Sequence, residues 1–200
     1  VVSHIRYTQH LAMNDDKYDS SEPIWFEKRW RLKFSKSVDT NNKYSYTIFD
    51  DSLGESTGNP DSSEVAFNPL DRTKMLTGGA AGTTMIHTGD PQATAEMNIG
   101  LKYGILDVDF AADCRTANTN KSITFDHLGR PIRGSTSDMS SAYSSATNAT
   151  NILISQQCII TLCTVDDCSA ASSDERVLIA IEQETGYTCI LDSNGDCIVN

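Results

Sequence analysis

Hydrophobic positions change period several times along the chain, and each change marks an element. Val1, Ile5, Thr8 and Ala12 recur at helical spacing, with His4 and Leu11 on the same side, until Asn14-Asp15-Asp16 ends the pattern. The spacing predicts a helix over 1–13. No capping residue precedes Val1, so this helix reads as the end of a longer one, severed from a hydrophobic N-terminal spine. An ordinary N-terminal helix freed of a tag or signal is the alternative. From 25 to 34 the period becomes two: Trp30, Leu32 and Phe34 alternate with Arg29, Arg31 and Lys33, as on a half-buried strand with a solvated basic face. Val38 to Asn42 is turn chemistry, and Tyr44, Tyr46 and Ile48 then alternate again, so the two runs form an antiparallel hairpin.

The stretch 50–71 is rich in Gly, Ser, Asn, Pro and acids and reads as a long surface loop, and 76–84, Gly-rich, as a flexible one. Met97, Ile99 and Leu101 alternate as on a strand, followed by a turn near Gly104 and room for a second short strand around Ile105 and Val108. Ile123 and Phe125 share a strand face before the tight turn His127-Leu128-Gly129-Arg130-Pro131. The Ser, Thr, Ala and Asn of 135–151 predict a mobile loop. A long apolar strand is expected within 152–163, a polar loop over 164–175 and a doubly buried central strand over 176–181. A turn at Glu184-Thr185-Gly186 then leads into a partner strand over 187–191.

Composition narrows the class. Two hundred residues suit one domain. The formal charge of −11 argues against nucleic acid or an anionic membrane surface as a partner, since phosphate binding needs clustered Lys and Arg. The basic run at Lys28, Arg29, Arg31 and Lys33 is too short to reverse that. No apolar run approaches the ~20 residues of a membrane span.

Six cysteines, with no Cys-x-x-Cys pair, favour disulfides and an oxidising compartment over a zinc site. Unrelated cytosolic thiols are the alternative. Of the pairings open to six thiols, Cys189 with Cys197 closes a short C-terminal loop and Cys163 with Cys168 closes the loop between two strands, leaving Cys114 with Cys158 by elimination. Cys158 and Cys163 have opposite parity, so on one regular strand they face opposite sides and cannot bond to each other.

The run Ile123-Thr124-Phe125-Asp126, followed by Gly129-Arg130-Pro131, resembles the C-terminal half of FimT-like minor pseudopilins and minor type IV pilins, where it forms a strand and turn of the sheet. The helix over 1–13, with Tyr7-Thr8-Gln9-His10-Leu11-Ala12-Met13 ahead of an aromatic-basic strand, is similar to prepilin-type proteins of the Campylobacter-like lineage. The closing hairpin also looks pilin-like. This resemblance implies an α+β, pilin-like fold: a truncated N-terminal helix packed on one antiparallel β-sheet, with long loops and disulfides, in a single domain over 1–200. It implies a structural subunit of a type II secretion pseudopilus or a related type IV or competence pilus, not an enzyme. Such a subunit is anchored in the inner membrane by a hydrophobic helix upstream, lies in the periplasm, and has other pilin subunits and the secretion or pilus machinery as partners. The loops 50–71 and 135–151 are its candidate contact surfaces.

Candidate chemistry is sparse. Asp192, Asn194 and Asp196 offer oxygen ligands at alternating positions, as a calcium loop does, but Cys197 stands where that loop wants Gly. A polar turn is the competing reading, and no other cofactor is expected. His4, His10, His87 and His127 make no metal-binding pair, and His87-Thr-Gly-Asp90 has no nucleophile beside it. Two further classes stay open: a secreted calcium-dependent binding module or adhesin, and an extracellular hydrolase needing two close carboxylates.

Overall fold

The structure, a computed structural model, describes residues 1–52, 58–80, 86–117, 119–134, 139–145 and 152–198. Helix α1 (Val2–Asn14) buries Ile5, Thr8 and Ala12, the stripe its sequence period predicts. Thr8 is tolerated inside because its hydroxyl donates to the His4 carbonyl at 2.8 Å. No side chain caps the first turn.

Two antiparallel sheets stand where one was expected. In the first, β1 (Arg31–Ser35) is flanked by β2 (Ser45–Phe49) and β6 (Ser122–Phe125), with β7 (Pro131–Arg133) beyond β6. In the second, the order runs β13 (Cys197–Ile198), β12 (Thr188–Leu191), β11 (Arg176–Ile181), β10 (Cys158–Cys163), β5 (Asp107–Phe110). Helix α1 touches β12, β6 and β1, so it packs against both sheets. One core spans all three: Ile5 from the helix, Leu32, Ile48 and Ile123 from the first sheet, and Phe110, Ile160 and Ile181 from the second. This mixed helix and antiparallel sheet arrangement is α+β.

Register explains the strand faces. Leu32 pairs with Ile48 and with Ile123, all pointing at the shared core. Arg31 pairs with Phe49 and with Thr124, and Thr124 with Ile132, on the opposite face. That second face is not solvated. A smaller core of Phe26, Ile132, Met139 and Ile152 covers part of it, and Arg29 and Arg31 are 3 % and 0 % exposed. Strand β1 is shorter than expected, because Trp25–Lys28 forms a 3-10 turn that feeds Phe26 into the small core.

The free edge of β2 accounts for two further differences. Its backbone groups need partners. Ala66 N donates to Ile48 O, Ile48 N to Leu76 O and Gly78 N to Tyr46 O. The segments read as exposed loops therefore run along a sheet edge, burying Asp50, Asp51, Glu64, Val65 and Ala66 and also Leu76 to Ala80. Gly78 has to be glycine there, since a Cβ would lie 2.2 Å from Asn98 N. Between them a hairpin of β3 (Phe67–Asn68) and β4 (Asp71–Met75) projects outward. The rest of the predicted flexible loop, 81–85, lies outside the described residues, as do parts of 135–151. Within the latter, β8 (Met139–Ser141) pairs with β9 (Ser144–Ser145).

The predicted strand at Met97, Ile99 and Leu101 is a helix, α2 (Ile99–Tyr103), preceded by a 3-10 turn at Ala95–Met97. Caps decide it. The Asn98 side chain accepts from Leu101 N at 3.0 Å, and Gly104 ends the helix at φ 72°. Met97 and Ile99 are buried but Leu101 is half exposed, so the alternation does not extend to its third residue.

Three disulfides form: Cys163–Cys168 and Cys189–Cys197, the pairs the short loops favour, and Cys114–Cys158, the pair left by elimination.

Gly186 and Gly195 both have positive φ, 66° and 87°, but a Cβ on Gly186 would lie 2.4 Å from both Gln9 Nε2 and Gly129 O, whereas Gly195 has open space. Gly195→Ala is expected to cost the backbone strain alone, ~1–2 kcal/mol. Gly186→Ala should cost clearly more in chemical denaturation, and equal losses would show that the packing of α1 on this turn contributes nothing.

Candidate functional site

The features that could meet a partner gather around α1. Its inner edge is fixed by polar contacts. Gln9 Nε2 donates to Gly129 O at 2.8 Å and to Thr185 O at 2.6 Å, tying the helix to one turn from each sheet. The Arg6 guanidinium donates to Thr188 O through Nη2 at 2.6 Å and through Nε at 3.0 Å, and lies over the Tyr187 ring. His4 Nδ1 and the Tyr46 hydroxyl are 2.9 Å apart, and burial lowers the pKa of the imidazole and raises that of the phenol. The outer face carries Ser3, Arg6, His10 and Asn14, all exposed. Beside it a groove of about 390 Å³ opens between α1 and the β3–β4 hairpin, lined by Tyr7, Leu11, Trp30, Val65 and Phe67 among others. Leu70, at the tip of that hairpin, is 95 % exposed.

The turn after β6 owes its shape to Asp126, which is fully buried. Its Oδ1 accepts from Leu128 N at 3.0 Å and Arg130 N at 2.8 Å, while Oδ2 accepts from Arg130 Nε at 2.8 Å and the Tyr143 hydroxyl at 3.1 Å. Gly129 takes φ 79°, close to Gln9 and Met13 of α1. The Asp, Gly and Arg of the sequence pattern are therefore the carboxylate that organises the turn, the residue that lets the helix approach, and the cation that closes it.

The basic face of β1 is the part sequence reasoning placed wrongly. Arg29 is sandwiched between Trp25 and Tyr143, at 4.9 and 4.8 Å, and donates to Ala142 O at 2.6 Å. Arg31 donates to Glu27 O at 2.5 Å and to Asp51 Oδ2 at 3.4 Å, with Phe49 beneath it at 5.0 Å. Burial pulls its pKa down, and the carboxylates of Asp51, Glu64, Asp50 and Glu27 oppose that. Lys33 donates to Gly58 O at 2.6 Å and Asn59 Oδ1 at 2.7 Å, and burial followed by the nearby Arg31 charge pushes its pKa down to about 8. Lys17 bridges Asp15 and Asp50 at 2.5 and 2.6 Å. Strand alternation carries no sign of this, because it separates two faces without telling whether the second is covered. The buried acids come from a stretch whose composition alone reads as solvated.

The calcium candidates lie at the far end of the second sheet. Asp192 Oδ1 accepts from Asn194 N at 2.8 Å and Asp196 N at 2.9 Å, and these backbone bonds hold its carboxyl below the usual range. Asp192 is half-buried, and Asn194 and Asp196 are exposed in a polar turn between β12 and β13. Among the described residues no group of three or more His, Cys, Asp or Glu converges as a metal site would require. The histidines are dispersed. His87 Nδ1 lies 3.2 Å from Asp39 Oδ1, the His87 backbone N–H donates to Asp90 Oδ2 at 2.7 Å, and His127 Nδ1 lies 4.0 Å from Asp16 Oδ1. Among the described residues no helix is long and apolar enough to cross a membrane. Comparison of the chain with protein-family models, with curated proteins and with solved structures gives no match.

Removing one partner of a buried ion pair strands the other. Arg31→Ala is therefore expected to lower unfolding free energy by ~3–5 kcal/mol in denaturant titrations, and a loss below ~1 kcal/mol would show that the Asp51 pair does not hold the outer face of the first sheet.

Proposed function

We propose that this chain is the globular head of a pilin-like subunit, a minor pseudopilin or pilin of a type II secretion pseudopilus or of a related type IV or competence pilus. The observation that carries the reading is the joint made by α1 and the turn 126–131. The pattern from Ile123 to Pro131, whose family counterpart is a strand and turn, lies here as β6 and a turn bonded directly to the helix through Gln9. A helix held in this way, with a polar outer face, suits a head rigidly mounted on a longer helical spine. Three disulfides suit the oxidising periplasm.

In this reading the subunit works by assembly. A hydrophobic segment upstream holds it in the inner membrane and then packs with its counterparts in the filament, trading lipid contact for helix contact. The head supplies lateral contacts to other subunits or to the secretion machinery. The β3–β4 hairpin and the groove beside α1 are the surfaces it has to offer, and both include residues of the 50–71 stretch.

The complete gene should then encode a prepilin cleavage motif and a hydrophobic helix directly ahead of Val1, and its product should fractionate with membranes until assembled. Leu70→Asp, at a nearly fully exposed position, should leave the melting temperature unchanged while cutting filament incorporation or secretion several-fold in the native host. A full-length product released freely into the periplasm, with secretion intact after gene deletion, would sink the assignment.

A further inference from the structure

Lys33 and Asn59 have a geometry that ordinary surface pairs lack. Lys33 rises from the middle of β1, its Nζ held at 2.6 Å by Gly58 O and at 2.7 Å by Asn59 Oδ1. The Asp51 carboxylate, 3 % exposed, takes the Gly58 N–H at 3.1 Å, which places it one residue from Asn59. We infer that Lys33 and Asn59 become joined by an intramolecular isopeptide bond, an amide between Lys33 Nζ and the Asn59 side-chain carbonyl carbon.

The step balances without an oxidant. The unprotonated Nζ adds its lone pair to Cγ of Asn59, forming the C–N bond and a tetrahedral centre. A proton passes from the attacking nitrogen to Nδ2 through solvent at the exposed Asn59, the Cγ–Nδ2 bond breaks, and ammonia leaves. Asn59 lies at the surface, so the ammonia has an exit to solvent. A rotation about the Asn59 Cβ–Cγ bond, a soft torsion, turns the carbonyl face toward Nζ. Holding the two groups together replaces a bimolecular encounter with an intramolecular one.

An ordinary lysine is too protonated for this. Lys33 is desolvated and lies beside Arg31, the two conditions that activate a lysine amine. With its pKa pushed down to about 8, roughly a tenth of it is neutral at pH 7. Asn59 is also shielded from the common competing loss of ammonia. Cyclisation onto the next backbone nitrogen needs an N–H, and Pro60 has none. The bond would fasten the segment that covers the outer face of the first sheet covalently to that sheet's central region.

The test is the intact mass of the unreduced full chain under denaturing conditions, followed by a peptide map after reduction. The expected mass is that of the sequence less the hydrogens of the three disulfides and less one ammonia, with one branched peptide containing both Lys33 and Asn59. Lys33→Arg and Asn59→Ala should each restore the ammonia. A wild-type mass explained by sequence and disulfides alone overturns the inference, and so does an ammonia loss that survives Lys33→Arg. The wild-type map decides even if no variant folds.

Discussion

The central strand of the first sheet is covered on both faces, and most of the architecture follows from how the two covers differ. Leu32 faces a core shared with α1 and the second sheet, where apolar burial suffices. Arg31, its neighbour, faces the other way and is fully enclosed. A guanidinium buried with no counter-charge would cost several kcal/mol. Asp50, Asp51 and Glu64 therefore have to fold inward over β1, although the stretch they come from is mostly polar. The second cover is thus held by charge and hydrogen bonds, with only a small apolar cluster around Ile132 and Phe26 to support it.

Helix α1 is the element through which the two sheets know of each other. Its apolar stripe supplies contact area, but area alone would let it slide or rotate. The polar contacts remove that freedom: Gln9 reaches the turn between β6 and β7 and the turn between β11 and β12 at once, and Arg6 reaches β12. Elsewhere the sheets are joined again where the Tyr44 hydroxyl donates to Asp107 Oδ1 at 3.0 Å and Lys121 donates to Tyr44 at 2.8 Å. A helix so fixed sets the position of each sheet relative to the other.

Much of this was legible in the sequence and some was not, for identifiable reasons. The helix stripe, the β1–β2 hairpin, β6 with its turn and β12 follow from periodicity, and β10 and β11 from unbroken apolar runs, although β11 is open to solvent at its start, where Val177 is 42 % exposed. The Met97-Ile99-Leu101 stretch departs from that pattern because three alternating residues fit a strand as well as a capped turn of helix, and the Asn98 cap decides between them. The basic face of β1 failed for a deeper reason. Which of two faces meets water depends on what packs there, and the acids that enclose Arg31 are separated from it by turns whose path periodicity does not describe. The Asp126 turn was visible as a pattern, but its bond to Gln9, more than a hundred residues earlier in the chain, was not.

The two sheets are also secured by different means, which bears on where the fold opens first. All three disulfides lie in the second sheet and its connections: Cys158 and Cys163 on β10, Cys189 on β12, Cys197 on β13. No disulfide cysteine lies on a strand of the first sheet. A disulfide constrains the chain whatever the state of the local packing, whereas the Arg31 network holds only while water is excluded from it, since its charges regain their hydration once exposed. Opening would thus begin at the outer face of the first sheet where ion pairs alone hold the cover, around Asp50 and Asp51, and leave the second sheet and its grip on α1 intact.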